Sequence, residues 1–78
     1  MAKKNQIAIL LGQNVKFRRL EQNLTQEKLS FESGLDRTFI GHIERGSRNI
    51  TVVTLCKIAK ALNSKPQDLL NGIDTIPC

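Results

Sequence analysis

The chain has 78 residues, with twelve Lys and Arg against seven Asp and Glu, for a net charge of +5. That length leaves room for one domain, spanning 1–78 with a core over about residues 7–72, and a chain this short buries only about 60% of its unfolded surface, so a staple or a partner subunit is expected. The longest apolar run, Ile7 to Leu11, is five residues, which excludes a membrane span and a secretory signal and leaves a cytoplasmic protein as the expectation.

Residues 1–20 carry Lys3, Lys4, Lys16, Arg18 and Arg19 and no acid. Such a basic excess favours polyanionic partners, because neutralising phosphates releases condensed counterions. Helix 1 is expected from about Ile7 to Gln22. Ile7, Leu11 and Val15 recur on one face, and Leu10 and Phe17 lie on a neighbouring one. A helix apolar on two sides is wedged between two other elements. Asn23 follows, a residue that tolerates the left-handed conformation at a helix end.

Helix 2 is capped by Thr25 and runs from Gln26 to Ser33, with Glu27 in its first turn, where the helix dipole favours an acid. Gly34 ends it. Helix 3 is capped by Asp36 and runs from Arg37 to about Arg45, stopped by Gly46. Helix 4 starts near Thr51, with Val52, Leu55, Ile58, Ala59 and Leu62 as its core face. Cys56 lies inside it and Cys78 is the last residue; neither spacing makes a zinc motif, so both read as reduced thiols. Helix 5 has Pro66 at its first position and carries Leu69 and Leu70. Lys65 before it is a poor cap, so the start is expected to fray. Asn71 to Cys78 is expected to be loose unless Ile73 and Ile76 are covered by a partner. No segment sustains strand alternation, so the fold class is all-α, a compact five-helix arrangement.

The informative stretch is Gln26 to Glu44. Leu29 stands five residues before Gly34, Leu35 one after, Ile40 six after and Ile43 nine after. Gly34 permits a sharp turn, and the four apolar residues fill the angle between two steeply crossed helices. The exposed start of helix 3 then projects as a rod that fits a major groove.

The run LTQEKLSFESGLDRTFIGHIERGSRNIT, Leu24 to Thr51, resembles the Cro and phage-repressor (XRE-type) helix-turn-helix family. Its second part, LDRTFIGHIERGSRNIT, is most similar to the controller proteins of restriction–modification systems. The resemblance implies a lambda-repressor-like domain with the helix-turn-helix at helices 2–3. Ser30 departs from the family's usual alanine, and Arg18 from its usual apolar residue.

Arg37 and Thr38 open the recognition helix and point outward if Ile40 and Ile43 point inward. Arginine can pair bidentately with guanine, and the threonine methyl can pack on thymine, so both are candidate base contacts. His42 lies on the same side, placed for a base or a phosphate, or else a plain surface histidine. Gly41 is a site where DNA could come close. Arg45, Ser47, Arg48 and Asn49 form a basic polar loop beside the groove; the loop suits phosphate contacts, and Arg48 can also enter a groove. The resemblance implies that Gln26 touches a phosphate, helped by the helix N-terminus. It also implies that Arg19 and Glu44 form a structural ion pair tying helix 1 to the end of helix 3. Phe39 is either packed at the core edge or wedged against the DNA backbone, as an aromatic is at this position in controller-like proteins.

These readings give a sequence-specific regulator of transcription, closest to a restriction–modification controller binding a palindromic double-stranded operator near its own gene. The alternative is a phage-type repressor or an antitoxin-like protein acting chiefly through a protein partner. An enzyme is not expected: no HExxH, GxSxG, P-loop or glycine fingerprint occurs. No cofactor, metal, membrane partner or small-molecule effector is expected. A homodimer is, because a lone helix-turn-helix makes few base contacts. Its interface is expected on the outer side of helices 4 and 5, at Val53, Leu69, Leu70 and Ile73.

Overall fold

The computed structural model describes residues 5–77. Lys3 and Lys4 of the basic start and the Cys78 thiol lie outside the described residues. Five α-helices follow in order: α1 (Gln6–Glu21), α2 (Gln26–Ser33), α3 (Arg37–Glu44), α4 (Val52–Ala61) and α5 (Pro66–Leu69), then a 3-10 turn at Ile73–Thr75. No strand occurs among the described residues.

Local chemistry sets each boundary. Asn5 caps α1, its Oδ1 accepting from the backbone N–H groups of Ile7 and Ala8 at 3.0 and 3.1 Å. Thr25, Asp36 and Thr51 cap α2, α3 and α4 in the same way. Asn23 and Asn63 take left-handed φ values of 56° and 51° after α1 and α4. That geometry brings Leu24 N–H to the Arg19 carbonyl and Ser64 N–H to the Ala59 carbonyl, so both helix ends are closed by the same device. The start of α5 is better held than its lysine suggested. Asp68 Oδ2 reaches back to accept from the Lys65 N–H at 2.9 Å.

The core is assembled from all five helices: Leu11 and Val15 of α1, Leu29 of α2, Ile40 and Ile43 of α3, Leu55, Ile58 and Ala59 of α4, Leu62 at its cap, and Leu69 of α5. Removing a buried Leu or Ile side chain from water contributes roughly 1.5–3 kcal/mol each. α1 packs on both α3 and α5, and α2 packs on α3 and α4. The wedge expected of α1 is present, and Leu11 and Val15 of the expected face are buried in it, but Phe17 is not part of it. Phe17 is 64% exposed, because the buried stripe continues from Leu11 and Val15 to Ala8, Gly12 and Arg19 and leaves the Phe17 side open. Gly12 is the point of closest approach: a Cβ there would collide with the backbone carbonyls of Ile43 and Glu44 on α3.

Cys56, inside the apolar stretch of α4, is a free thiol, as expected, and faces out. Two further expectations need correction. Val52 is 74% exposed; as the first residue of α4 it overhangs the core rather than entering it. The segment after α5 is docked rather than loose. Asn14 Nδ2 donates to the Leu69 and Asn71 carbonyls at 2.9 and 3.0 Å, and Ile73 packs against the core. No helix is long and apolar enough to cross a membrane among the described residues.

Candidate nucleic-acid interface

The turn between α2 and α3 is closed by Gly34 at φ 73°, where a side chain would be strained. Ser30, the departure from the family's alanine, donates its hydroxyl to the Leu35 carbonyl and so braces the far side of that turn. Leu29, Ile40 and Ile43 are fully buried in the angle between the helices, and Leu35 packs against them.

Burial of Ile40, Ile43 and Glu44 fixes which side of α3 faces out. At about 100° per residue, the opposite side carries Thr38, His42 and Arg45 in one stripe. Arg37 and Thr38 are both exposed at the first turn. Phe39 is half-buried, with one side against the core. Gly41 is buried, because the Arg45 guanidinium folds back over it: Nη1 lies 3.3 Å from where a Cβ would stand, and Gln26 Oε1 lies 3.8 Å away. The DNA approach imagined at Gly41 is therefore occupied by side chains of the interface itself.

Beneath this surface lies a polar cluster. Arg19 clasps the Glu44 carboxylate through Nε at 2.7 Å and Nη2 at 3.0 Å, and its Nη1 donates to the Leu24 carbonyl at 2.7 Å. Both side chains are nearly closed off from solvent. Gln26 Nε2 donates to the same carboxylate at 3.1 Å. A carboxylate only accepts, so Glu44 fixes the amide orientation of Gln26, and the second Nε2 hydrogen stays free. Gln26 is also the first residue of α2, where the helix presents unpaired backbone N–H groups. Nothing in the local sequence signalled the Gln26–Glu44 contact.

The loop residues diverge. Arg45 and Ser47 gather around the His42 ring. Arg48 and Asn49 are exposed and line the end of an apolar groove of about 380 Å³. Asn49 Oδ1 also accepts from Asn5 Nδ2 at 2.9 Å, a contact that sequence spacing could not reveal. The groove runs between α1 and the start of α4, walled by Ile7, Leu11, Ile50, Val52, Leu70 and Ile73. Val53 is 64% exposed and Leu70 39%. Leu69 is wholly buried within the single chain, so it belongs to the core and not to a partner surface.

An all-helical domain with a glycine-turned helix pair, an outward polar stripe and a basic loop is the architecture of a helix-turn-helix module. The helix-turn-helix family profile matches residues 15–69. Control protein C.BamHI from Bacillus amyloliquefaciens is 50% identical over 68 residues, covering 86% of this chain and 84% of that protein. The crystal structure of the restriction–modification controller protein C.AhdI from Aeromonas hydrophila is similar at a TM-score of 0.78 and 42% identity, over 80% of this chain and 94% of that one. The controller protein C.Esp1396I, solved as a tetramer in complex with its natural 35 base-pair operator, superposes at a TM-score of 0.81 with 35% identity, over 91% of this chain and 93% of that one. The chain belongs to the XRE-type helix-turn-helix family, among the restriction–modification controller proteins.

Proposed function

We propose that this chain is a sequence-specific double-stranded DNA-binding regulator of transcription, a cytoplasmic restriction–modification controller that binds a palindromic operator near its own gene as a homodimer. The observation that carries it is the outward face of α3, held over a core that closes behind it, in a chain half identical to a control protein across most of both lengths. The relatives favour this reading over a phage-type repressor or an antitoxin-like protein working through a protein partner. They are control proteins, not enzymes.

Within the single domain, residues 1–78, Arg37 and Thr38 read base edges, with His42 and Arg48 beside them. Gln26, Phe39, Arg45, Ser47 and Asn49 hold the DNA backbone. Arg19 and Glu44 support Gln26 from below. Two protomers meet on the outer side of α4 and α5, at Val53, Leu70 and Ile73. No effector is required, since affinity is set by protein concentration and assembly on DNA. The deciding experiment is selection from a random duplex library, followed by footprinting of the DNA upstream of the gene. Recovery of a two-fold repeated motif, with protection of the same motif upstream, is the expected result. Recovery of no motif would overturn the reading.

A further inference from the structure

On the outward side of α3, two side chains approach one ring nitrogen. Arg45 Nη2 lies 3.1 Å from His42 Nδ1. Ser47 Oγ lies 3.4 Å from the same nitrogen, but it donates its proton to the His42 carbonyl at 3.0 Å. A guanidinium only donates, so Nδ1 accepts from Arg45 and the neutral ring carries its proton on Nε2. This contact draws the guanidinium back along the helix, over Gly41 and toward Gln26. The acid of the same helix, Glu44, is turned to the buried side, where its carboxylate is occupied by Arg19 from α1 and Gln26 from α2. No ion pair joins His42 to an acid among the described residues.

We propose that His42 positions Arg45 through a proton-operated latch, so that DNA binding takes up a proton at His42. The inference rests on the DNA-binding reading and adds a positioning residue and a pH dependence to it. Protonation places a hydrogen on Nδ1. That nitrogen can then no longer accept from Arg45, and two like charges face each other. Ser47 Oγ, its own proton already engaged, offers a lone pair to the new N–H. Arg45 is released to turn outward and reach a phosphate. DNA favours the protonated state twice over, through the imidazolium and through the freed guanidinium, because both meet a polyanion. Affinity therefore rises as the solution is acidified and His42 takes up its proton. His42 is the single histidine of the sequence, so replacing it separates its contribution from that of the α-amino group, which also titrates near neutrality.

The test uses the full chain and a random-sequence duplex, with anisotropy titrations at fixed ionic strength in buffers from about pH 8 down to about pH 5. Wild-type affinity is expected to rise by up to about tenfold per pH unit, the slope of one proton taken up. The salt dependence should steepen at the acid end by about one to two phosphate contacts. His42→Gln keeps an acceptor for Arg45 but takes no proton, and is expected to lose the pH slope whatever its affinity. Arg45→Ala should keep only the shallower part due to the imidazolium. Nitrogen NMR of the free protein should show the Nε2–H tautomer, with the Arg45 guanidinium signal moving at the His42 midpoint. A flat wild-type profile, an Nδ1–H tautomer, or an unchanged slope in Arg45→Ala would each overturn the latch. Failure to bind any duplex at any pH would instead overturn the DNA-binding reading, and the co-titration would still decide whether the latch exists.

Discussion

Arg19→Met is the most informative single change in the scaffold. Methionine keeps most of the arginine's length and helix propensity, so the change isolates the lost guanidinium. Glu44 is then left 92% buried, at 8% exposure, with Gln26 Nε2 as its remaining side-chain donor. The Leu24 carbonyl loses its donor as well. Removing one partner of a buried pair costs about 3–5 kcal/mol, because the other charge stays behind uncompensated. Stability of about 0.05–0.15 kcal/mol per residue makes this a large share of the total for so short a chain. Glu44→Gln should cost less, about 1–3 kcal/mol. Its amide oxygen can still accept one hydrogen bond, and Arg19 keeps the Leu24 carbonyl. The assay is urea unfolding followed by circular dichroism at fixed protein concentration, with m-values compared to confirm a common unfolded state. The reasoning requires Arg19→Met to be the more damaging of the two. Equal losses below about 1 kcal/mol would show a pair behaving as if exposed, and would refute it.

Gly12→Ala gains up to about 1 kcal/mol of helix propensity but drives a methyl into the α3 backbone, which cannot rotate away; a net loss of roughly 1–3 kcal/mol in thermal unfolding is expected. Val53→Glu puts a charge on the exposed outer side of α4 and should shift sedimentation toward monomer without lowering the helical signal, and an unchanged dimer would place the interface elsewhere. Arg37→Ala should cost about 1–3 kcal/mol on the selected operator and relax preference at one base pair per half-site in competition binding, whereas an even loss across all operator variants would make Arg37 a phosphate contact. Gln26→Glu sets a second carboxylate against Glu44, so both stability and DNA affinity should fall at neutral pH and partly recover in mild acid as the pair shares a proton; wild-type melting at neutral pH would separate the two side chains.

Most of the helical framework was legible because its signals are local. Thr25, Asp36 and Thr51 bond to amides within three residues, and Gly34 and Asn23 adopt the conformations their residue types favour. The misreadings came from properties that no local pattern contains. Phe17 looks like core because it is apolar at a helical spacing, yet the face that meets α3 holds Gly12 at the closest approach and Arg19 on Glu44, neither of which an apolar pattern marks. Leu69 and Leu70 are adjacent and chemically identical, and only the placement of α5 against α1 and α4 decides that one is core and the other surface. The tail was expected to be loose because its anchor, Asn14, lies 57 residues from the carbonyl it binds at Asn71. In the interface the residue types were readable, but their grouping was not. Arg45 was assigned to the loop, and the end of α3 puts it on the same stripe as Thr38 and His42.

Glu44 shows why the scaffold and the reading surface cannot be varied independently. A carboxylate at the end of α3, under the recognition face, is costly to bury unless it is surrounded by donors. The donors come from outside its own helix, Arg19 from α1 and Gln26 from α2. Satisfying one buried charge therefore fixes the mutual placement of three helices. It also fixes the amide of Gln26, which stands at the α2 N-terminus with one Nε2 hydrogen left over. A glutamine free to rotate would lose side-chain entropy on meeting a phosphate; one already held has lost it in folding. The carboxylate that closes α1 onto the helix pair thus also pre-orders the grip on the DNA backbone. Substitutions in this cluster should consequently change stability and sequence-independent affinity together, while substitutions at Arg37 and Thr38, which touch none of it, should change sequence preference alone.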